Sequence, residues 1–206
     1  MDEWREVFEG GDGVRIGQDE YLAGFNERFW RIGPAGFWKL ERLQAYDEGD
    51  FPSWLALRRG AWEESLRLIE ELRPEYAEDE ARISKAGFPY RRVRIVERPL
   101  VPYVQWELNI LHVKSGYGQD AAVLDAERVT AYEAQGPLPE LCVLGDATAY
   151  LVEYTPEGVP NGAVLFTRAD VVAKARDFVR GLYEAGEDIA SYFPREVAHL
   201  APPAAA

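Results

Sequence analysis

Cysteine and histidine are nearly absent from this chain: its 206 residues include one cysteine, Cys142, and two histidines, His112 and His199. A single thiol excludes an internal disulfide and any zinc or iron–sulfur site built on several cysteines. Within the apolar run LCVL it reads as a small buried hydrophobe, not a reactive thiol. A histidine triad or metal centre would have to be built on His112, because His199 sits in a tail rich in proline and alanine, and nothing marks partners for it. No cofactor is expected. Positive charge is also scarce, with 23 Lys and Arg against 36 Asp and Glu and a net charge of −13. Direct nucleic-acid binding and docking on anionic membranes are disfavoured, since neutralising phosphates takes concentrated positive charge. No window approaches the roughly 20 apolar residues of a membrane span. The start, MDEWREVFEG, is acidic where a secretory leader would be basic and then apolar, so a cytoplasmic protein is expected.

What is present is material for a core, with 47% hydrophobic and 13% aromatic residues. Residues 1–36 read as an arm and a helix: Trp4 and Phe8 are spaced for one helical face, and Tyr21, Leu22, Phe25 and Phe29 for another. Residues 37–190 read as the α/β domain, helical over 50–88 and strand-rich over 90–190. In the helical part Trp62, Leu66, Ile69 and Leu72 share a face, and Gly87 is placed to stop the last helix. The strand Arg92 to Glu97 is followed by a helix from Pro102 to Lys114, with proline in its first turn, where a missing N–H costs little. Further strands fall at 121–124, 141–144, 149–154 and 163–166, and a helix after Thr167 closes the domain. Residues 191–206 are expected to be a disordered tail. The fold class is α/β, a mixed sheet of about five to six strands flanked by helices, with a helical N-terminal layer.

Three groups of residues could carry function. Glu41 and Glu107, with Arg92 or Arg94 and with Tyr103 one helical turn from Glu107, could form a carboxylate–guanidinium pocket for a polar ligand. The same residues could equally be an ion-pair network that fixes strand against helix. The alternation of Arg92 and Arg94 with Val93 and Ile95 also suits a solvent-facing strand side. Asp146, after Gly145, is a further pocket candidate, although aspartate favours such turns for its backbone geometry alone. Trp4, Phe8 and Trp30 are candidate anchors for a protein partner, since tryptophan is enriched at interfaces.

The segments FWKLE, RRVRIVERPLVPYVQWEL, ELCVLGDATAYLVEYTPEG and VVAKARDFVRGLYEAG together resemble an actinobacterial family, domain of unknown function family 6879, over Phe37 to Ile189. The resemblance rests on Phe37, Glu41, the basic strand, Pro99-Leu100, Tyr103 with Glu107, and the hairpin around Asp146. It implies a regulatory setting, because members sit beside helix-turn-helix regulators, and it implies no particular activity. The element order from Arg91 onward is also similar to half of a phospholipase-D-type domain, whose signature is His-x-Lys-x4-Asp. Setting Asp146 at the signature aspartate puts Pro139 at the histidine and Leu141 at the lysine, so the resemblance implies a pseudoenzyme. His112-Val113-Lys114 is not that signature, since it ends a helix and Asp120 falls one residue late. The expected function is a non-catalytic regulatory or scaffold domain that binds a protein partner, such as a helix-turn-helix transcription regulator. The alternative is ligand sensing, or residual hydrolase or nuclease activity, on a degenerate phospholipase-D-like fold.

Overall fold

The computed structural model describes residues 3–9 and 12–203. Residues 1, 2, 10, 11 and 204–206, part of the expected arm and tail, lie outside it. The elements run α1 (Glu3–Glu9), β1 (Val14–Ile16), α2 (Gln18–Phe29), β2 (Phe37–Glu41), α3 (Pro52–Arg58), α4 (Trp62–Glu71), α5 (Arg73–Ala86), β3 (Tyr90–Val96) and α6 (Pro102–Ser115). They continue through β4 (Asp120–Asp125), β5 (Glu140–Leu144), β6 (Thr148–Tyr154), β7 (Pro160–Phe166), α7 (Ala169–Ala185), β8 (Glu187–Asp188) and α8 (Ile189–Glu196). Among the described residues all strands belong to one eight-stranded sheet of order β1-β7-β6-β5-β2-β3-β4-β8. β2, β3 and β4 are parallel, joined by helical crossovers, whereas the other pairings are antiparallel. The expected five or six strands thus become eight. The two additional ones are edge strands of three and two residues, too short to leave an alternating pattern in the sequence.

Alternation along the strands divides the core between two faces. On one face Trp38, Leu40, Val93, Ile95 and Val143 pack against Val172, Ala175 and Val179 of α7. On the other, Trp106, Leu108 and Leu111 of α6 pack with Trp54, Leu57 and Ile69 of α3 and α4, while Tyr21, Phe25 and Phe29 of α2 cover Phe37 and Tyr150. The helical N-terminal layer expected is divided between the two faces of the sheet. α1 lies on the α7 face, where Trp4 stacks on Phe178, and α2 lies on the opposite face. The tail also begins later than expected, because α8 continues to Glu196 and buries Tyr192 and Val197.

A small polar knot fixes the helices that wall the second face. Ser53 and Ser65, both buried, donate to each other's carbonyl oxygens at 2.8 Å, and Trp106 Nε1 donates to Ser53 Oγ at 2.9 Å. Ser53→Ala would strand the buried indole N–H, at a cost of about 1–3 kcal/mol. Urea unfolding is expected to show that loss, and an unchanged midpoint would contradict it.

Candidate functional site

The polar face of the central strands lies inside the molecule. In the parallel register Lys39 sits opposite Arg92, and Glu41 opposite Arg94, so all four share the sheet face that α6 covers. β3 is a central strand between β2 and β4, and Arg94 is fully buried. The solvent-face reading of the alternating arginines is therefore corrected, because alternation fixes which residues share a face and not which face meets water. Above them α6 presents Tyr103, Glu107, Ile110 and Lys114 at helical spacing. Between sheet and helix, closed on its sides by the segment after β2 and by the start of α5, is a cavity of about 440 Å³.

Its floor is an ionic network. Glu41 accepts from Lys39 Nζ at 2.5 Å and takes both its oxygens to Arg92 Nη1, at 2.9 and 2.7 Å. Burial would push its carboxyl up, but Arg92, Lys39 and Arg94 together hold it well below the usual carboxylate range. Arg94 Nε donates to Glu107 Oε2 at 2.6 Å, and Arg94 Nη1 donates to the Ile95 carbonyl at 3.0 Å. Burial pushes Glu107 up to about 7 against the pull of Arg94, with the charge of Glu41 adding to the effect. Tyr103 donates to Glu48 Oε1 at 2.5 Å, and Tyr46 donates to Glu140 Oε2 at 2.5 Å.

The network leaves positive charge over. Among the buried groups here, four cations, Lys39, Arg92, Arg94 and Lys114, stand against two carboxylates, Glu41 and Glu107, while the exposed Asp47, Glu48 and Glu75 also line the cavity. Arg92 Nε and Arg94 Nη2 are buried without a hydrogen-bond partner. Among the described residues no carboxylate lies within ion-pairing distance of Lys114, whose Nζ stands 4.9 Å from the centre of the Tyr76 ring. Burial, followed by Arg92 and Lys39, lowers its pKa to about 8 against the weaker pull of the Asp79 and Glu41 carboxylates. A half-buried ammonium beside two other cations is held in place at an electrostatic cost, and an incoming anion would relieve that cost.

Of the expected pocket residues, Glu41, Arg92, Tyr103 and Glu107 line this cavity. Arg94 lies behind them, bound to Glu107. Asp146 stands apart, exposed on the turn after β5 and paired with Arg176 of α7. Among the expected partner anchors, Trp4 is buried, with Nε1 donating to the Tyr132 carbonyl at 3.0 Å, and Phe8 is half-buried against Phe166. Trp30 is partly exposed, with the Arg82 guanidinium 4.2 Å from its ring centre. Lys39 and Lys114 were missing from the expected set. Both carried a signal, since Lys39 is two residues before Glu41 on one strand face and Lys114 is two helical turns after Glu107. α6 also separates His112 from Lys114: His112 stacks on Phe193 of α8, with ring centres 4.3 Å apart. Cys142 is buried, and burial pushes its thiol up to about 11.

Among the described residues no group of three or more His, Cys, Asp or Glu is placed to hold a metal ion, and no helix is long and apolar enough to cross a membrane. A family model described as Domain of unknown function (DUF6879) matches residues 23–194. No curated protein matches the chain.

Proposed function

The chain belongs to that family, whose description names no activity, and from its own geometry we propose a non-catalytic regulatory domain that senses a small anionic ligand in the cavity under α6. The observation that carries this reading is Lys114, a cavity-lining cation without a carboxylate partner, set beside Arg92 and Lys39 in a protein whose net charge is −13. A carboxylate or phosphate placed there would meet the Lys114 ammonium and the positive field of the Arg92 guanidinium, whose terminal nitrogens are held by Glu41 and Tyr90. Charge-assisted bonds of this kind contribute about 1.5–3 kcal/mol each. Aromatic side chains, among them Phe51, Tyr103 and Trp106, wall the rest of the cavity, which suits a ligand with a compact organic body.

Occupancy would be passed to a protein partner, and a helix-turn-helix regulator fits the charge of this domain, because an acidic surface complements a basic DNA-binding one. Leu22 and Trp30, both partly exposed on and just after α2, support a contact there. Hydrolase or nuclease chemistry on a degenerate phospholipase-D-like fold has less support, since Glu107 and Asp146 do not share a site.

The test is thermal unfolding against inorganic phosphate, sugar phosphates, dicarboxylates and amino acids, with divalent metal ions run alongside. A ligand at about 100 times its Kd adds about 2.7 kcal/mol, which raises Tm by roughly 5–10 °C in a domain of this size. A shift with an anion supports the reading, and no shift with any of them removes it.

A further inference from the structure

Seven residues are too few for a helix to hold without tertiary contacts, so α1 depends on the groove it occupies between α7, β7 and the segment joining β4 to β5. Trp4 stacks on Phe178 and donates its Nε1–H to the Tyr132 carbonyl, and Phe8 meets the Phe166 ring edge-on, with centres 5.1 Å apart. Arg5 Nη2 donates to the Gly136 carbonyl at 2.7 Å. The groove thus takes a helix by two aromatic anchors one turn apart, with a basic residue beside the first. The fit is incomplete in three respects. Arg5 Nε is buried with no hydrogen-bond partner among the described residues. Val7, Phe8, Tyr132 and Phe178 are only half-buried. A hollow of about 630 Å³ lies open beside α1, where Glu6 and Val7 face Lys174, Asp177 and Phe178 of α7. α7 has 17 residues against the 7 of α1, roughly 25 Å against 10 Å, so α1 cannot cover the whole of it. The groove lies within the span matched by the family, residues 23–194, and α1 precedes that span. The surface belongs to the family domain, and its cover does not.

We propose that this side of α7 is a docking groove for an amphipathic helix of a partner protein, longer than α1 and carrying an aromatic pair one turn apart, and that α1 is a built-in competitor for it. Recognition is then of the helix-in-groove kind, with anchors at i and i+4. The α1 of a second copy is the poorer occupant, since it would leave the same hollow and the same unsatisfied Arg5 Nε. The groove and the anion cavity lie on opposite faces of the sheet, so the two readings fail separately.

The probe is a labelled synthetic peptide, the α1 sequence EWREVFE extended at its C-terminus by two helical turns in which leucine continues the face of Val7. Fluorescence anisotropy follows its binding to the full wild-type chain and to a Trp4→Ala, Phe8→Ala variant, whose own α1 has lost both anchors; a thermal melt confirms that the variant folds. A Phe8→Ala variant, altered only at a half-buried side chain, repeats the comparison. The double variant is expected to bind at least about tenfold more tightly than wild type, because occupancy by α1 lowers the competent fraction of the wild-type groove. Wild type should still saturate at higher peptide concentration, and adding Phe178→Ala to the double variant should weaken binding about tenfold or more. A control peptide with alanine in place of its Trp and Phe should bind none of these proteins. Equal binding to wild type and variants, a control peptide that binds as well, or no binding to either variant would overturn the groove. Binding to the variants and never to wild type would make α1 a fixed part of the fold and overturn its role as a competitor.

Discussion

Arg94→Ala is expected to destabilise the protein by about 3–5 kcal/mol, the cost typical of removing one partner from a buried ion pair. Arg94 is fully buried, and its guanidinium is the nearest compensation for Glu107, itself 5% exposed and within the field of Glu41. Without it a buried carboxylate would be left beside the charge of Glu41 with no hydrogen-bonded cation of its own, offset only by the field of Arg92. The pH dependence has a definite sign. The folded-state pKa of Glu107 lies near 7, above the ordinary 4.5, and it rises further once Arg94 is gone. The folded variant therefore holds a proton that the unfolded chain has released, and stability falls as pH rises through that window. Urea unfolding should show the variant regaining stability between pH 7 and pH 5 relative to wild type. Replacing both partners, Arg94→Met with Glu107→Leu, should restore most of the loss, because a well-packed apolar pair often matches a buried salt bridge. A loss below about 1 kcal/mol, or one indifferent to pH, would mean that the pair does not fix α6 over β3.

Lys114→Met should act in the opposite way on stability and remove function. Its ammonium is held next to Arg92 and Lys39 without a carboxylate partner, so the thioether, similar in length and uncharged, should raise the stability of the ligand-free protein at pH 7. The folded pKa is about 8 against an ordinary 10.5. Between those values the unfolded chain keeps a proton that the folded chain has lost, so wild-type stability rises with pH. The advantage of Lys114→Met should accordingly shrink from pH 8 to pH 10.5. Subtracting the two proteins cancels the tyrosines that titrate in the same range. Affinity for any small anion that binds wild type should fall about 10- to 100-fold, or about 1.4–2.7 kcal/mol. In wild type it should decline as pH rises past 8. A residue that costs stability and supplies binding is the pattern expected of a functional side chain; a destabilised variant with unchanged affinity would mark Lys114 as structural.

How far this could be read from sequence depended on the length of each signal. The 14-residue α6 and the seven-residue β3 were legible because proline marks the helix start and apolar residues recur with clear period. β1 and β8 were not, since neither is long enough to alternate. Glu41, Arg92, Tyr103 and Glu107 could be paired because strand and helix spacing put each on a definite face. The direction of that face could not be read: Arg92 and Arg94 look solvent-facing until β3 is known to be central and covered by α6. Asp146 was grouped with the pocket through its turn, and sequence gave no sign that Arg176, 30 residues on, would hold it at the surface. Lys114 falls in the last turn of α6, where a cation suits the helix dipole, and its second relation, two turns from Glu107 on the inner face, counts only once a cavity lies below.

Nitrogen-edited NMR of the lysine ammonium groups, with the Lys114 signal identified by its absence in Lys114→Met, tests the cavity most directly. Titrated without ligand, Lys114 should ionise near pH 8, and its pKa should rise when a binding anion is added. A value near 10.5 that no anion moves would contradict an anion-sensing cavity under α6.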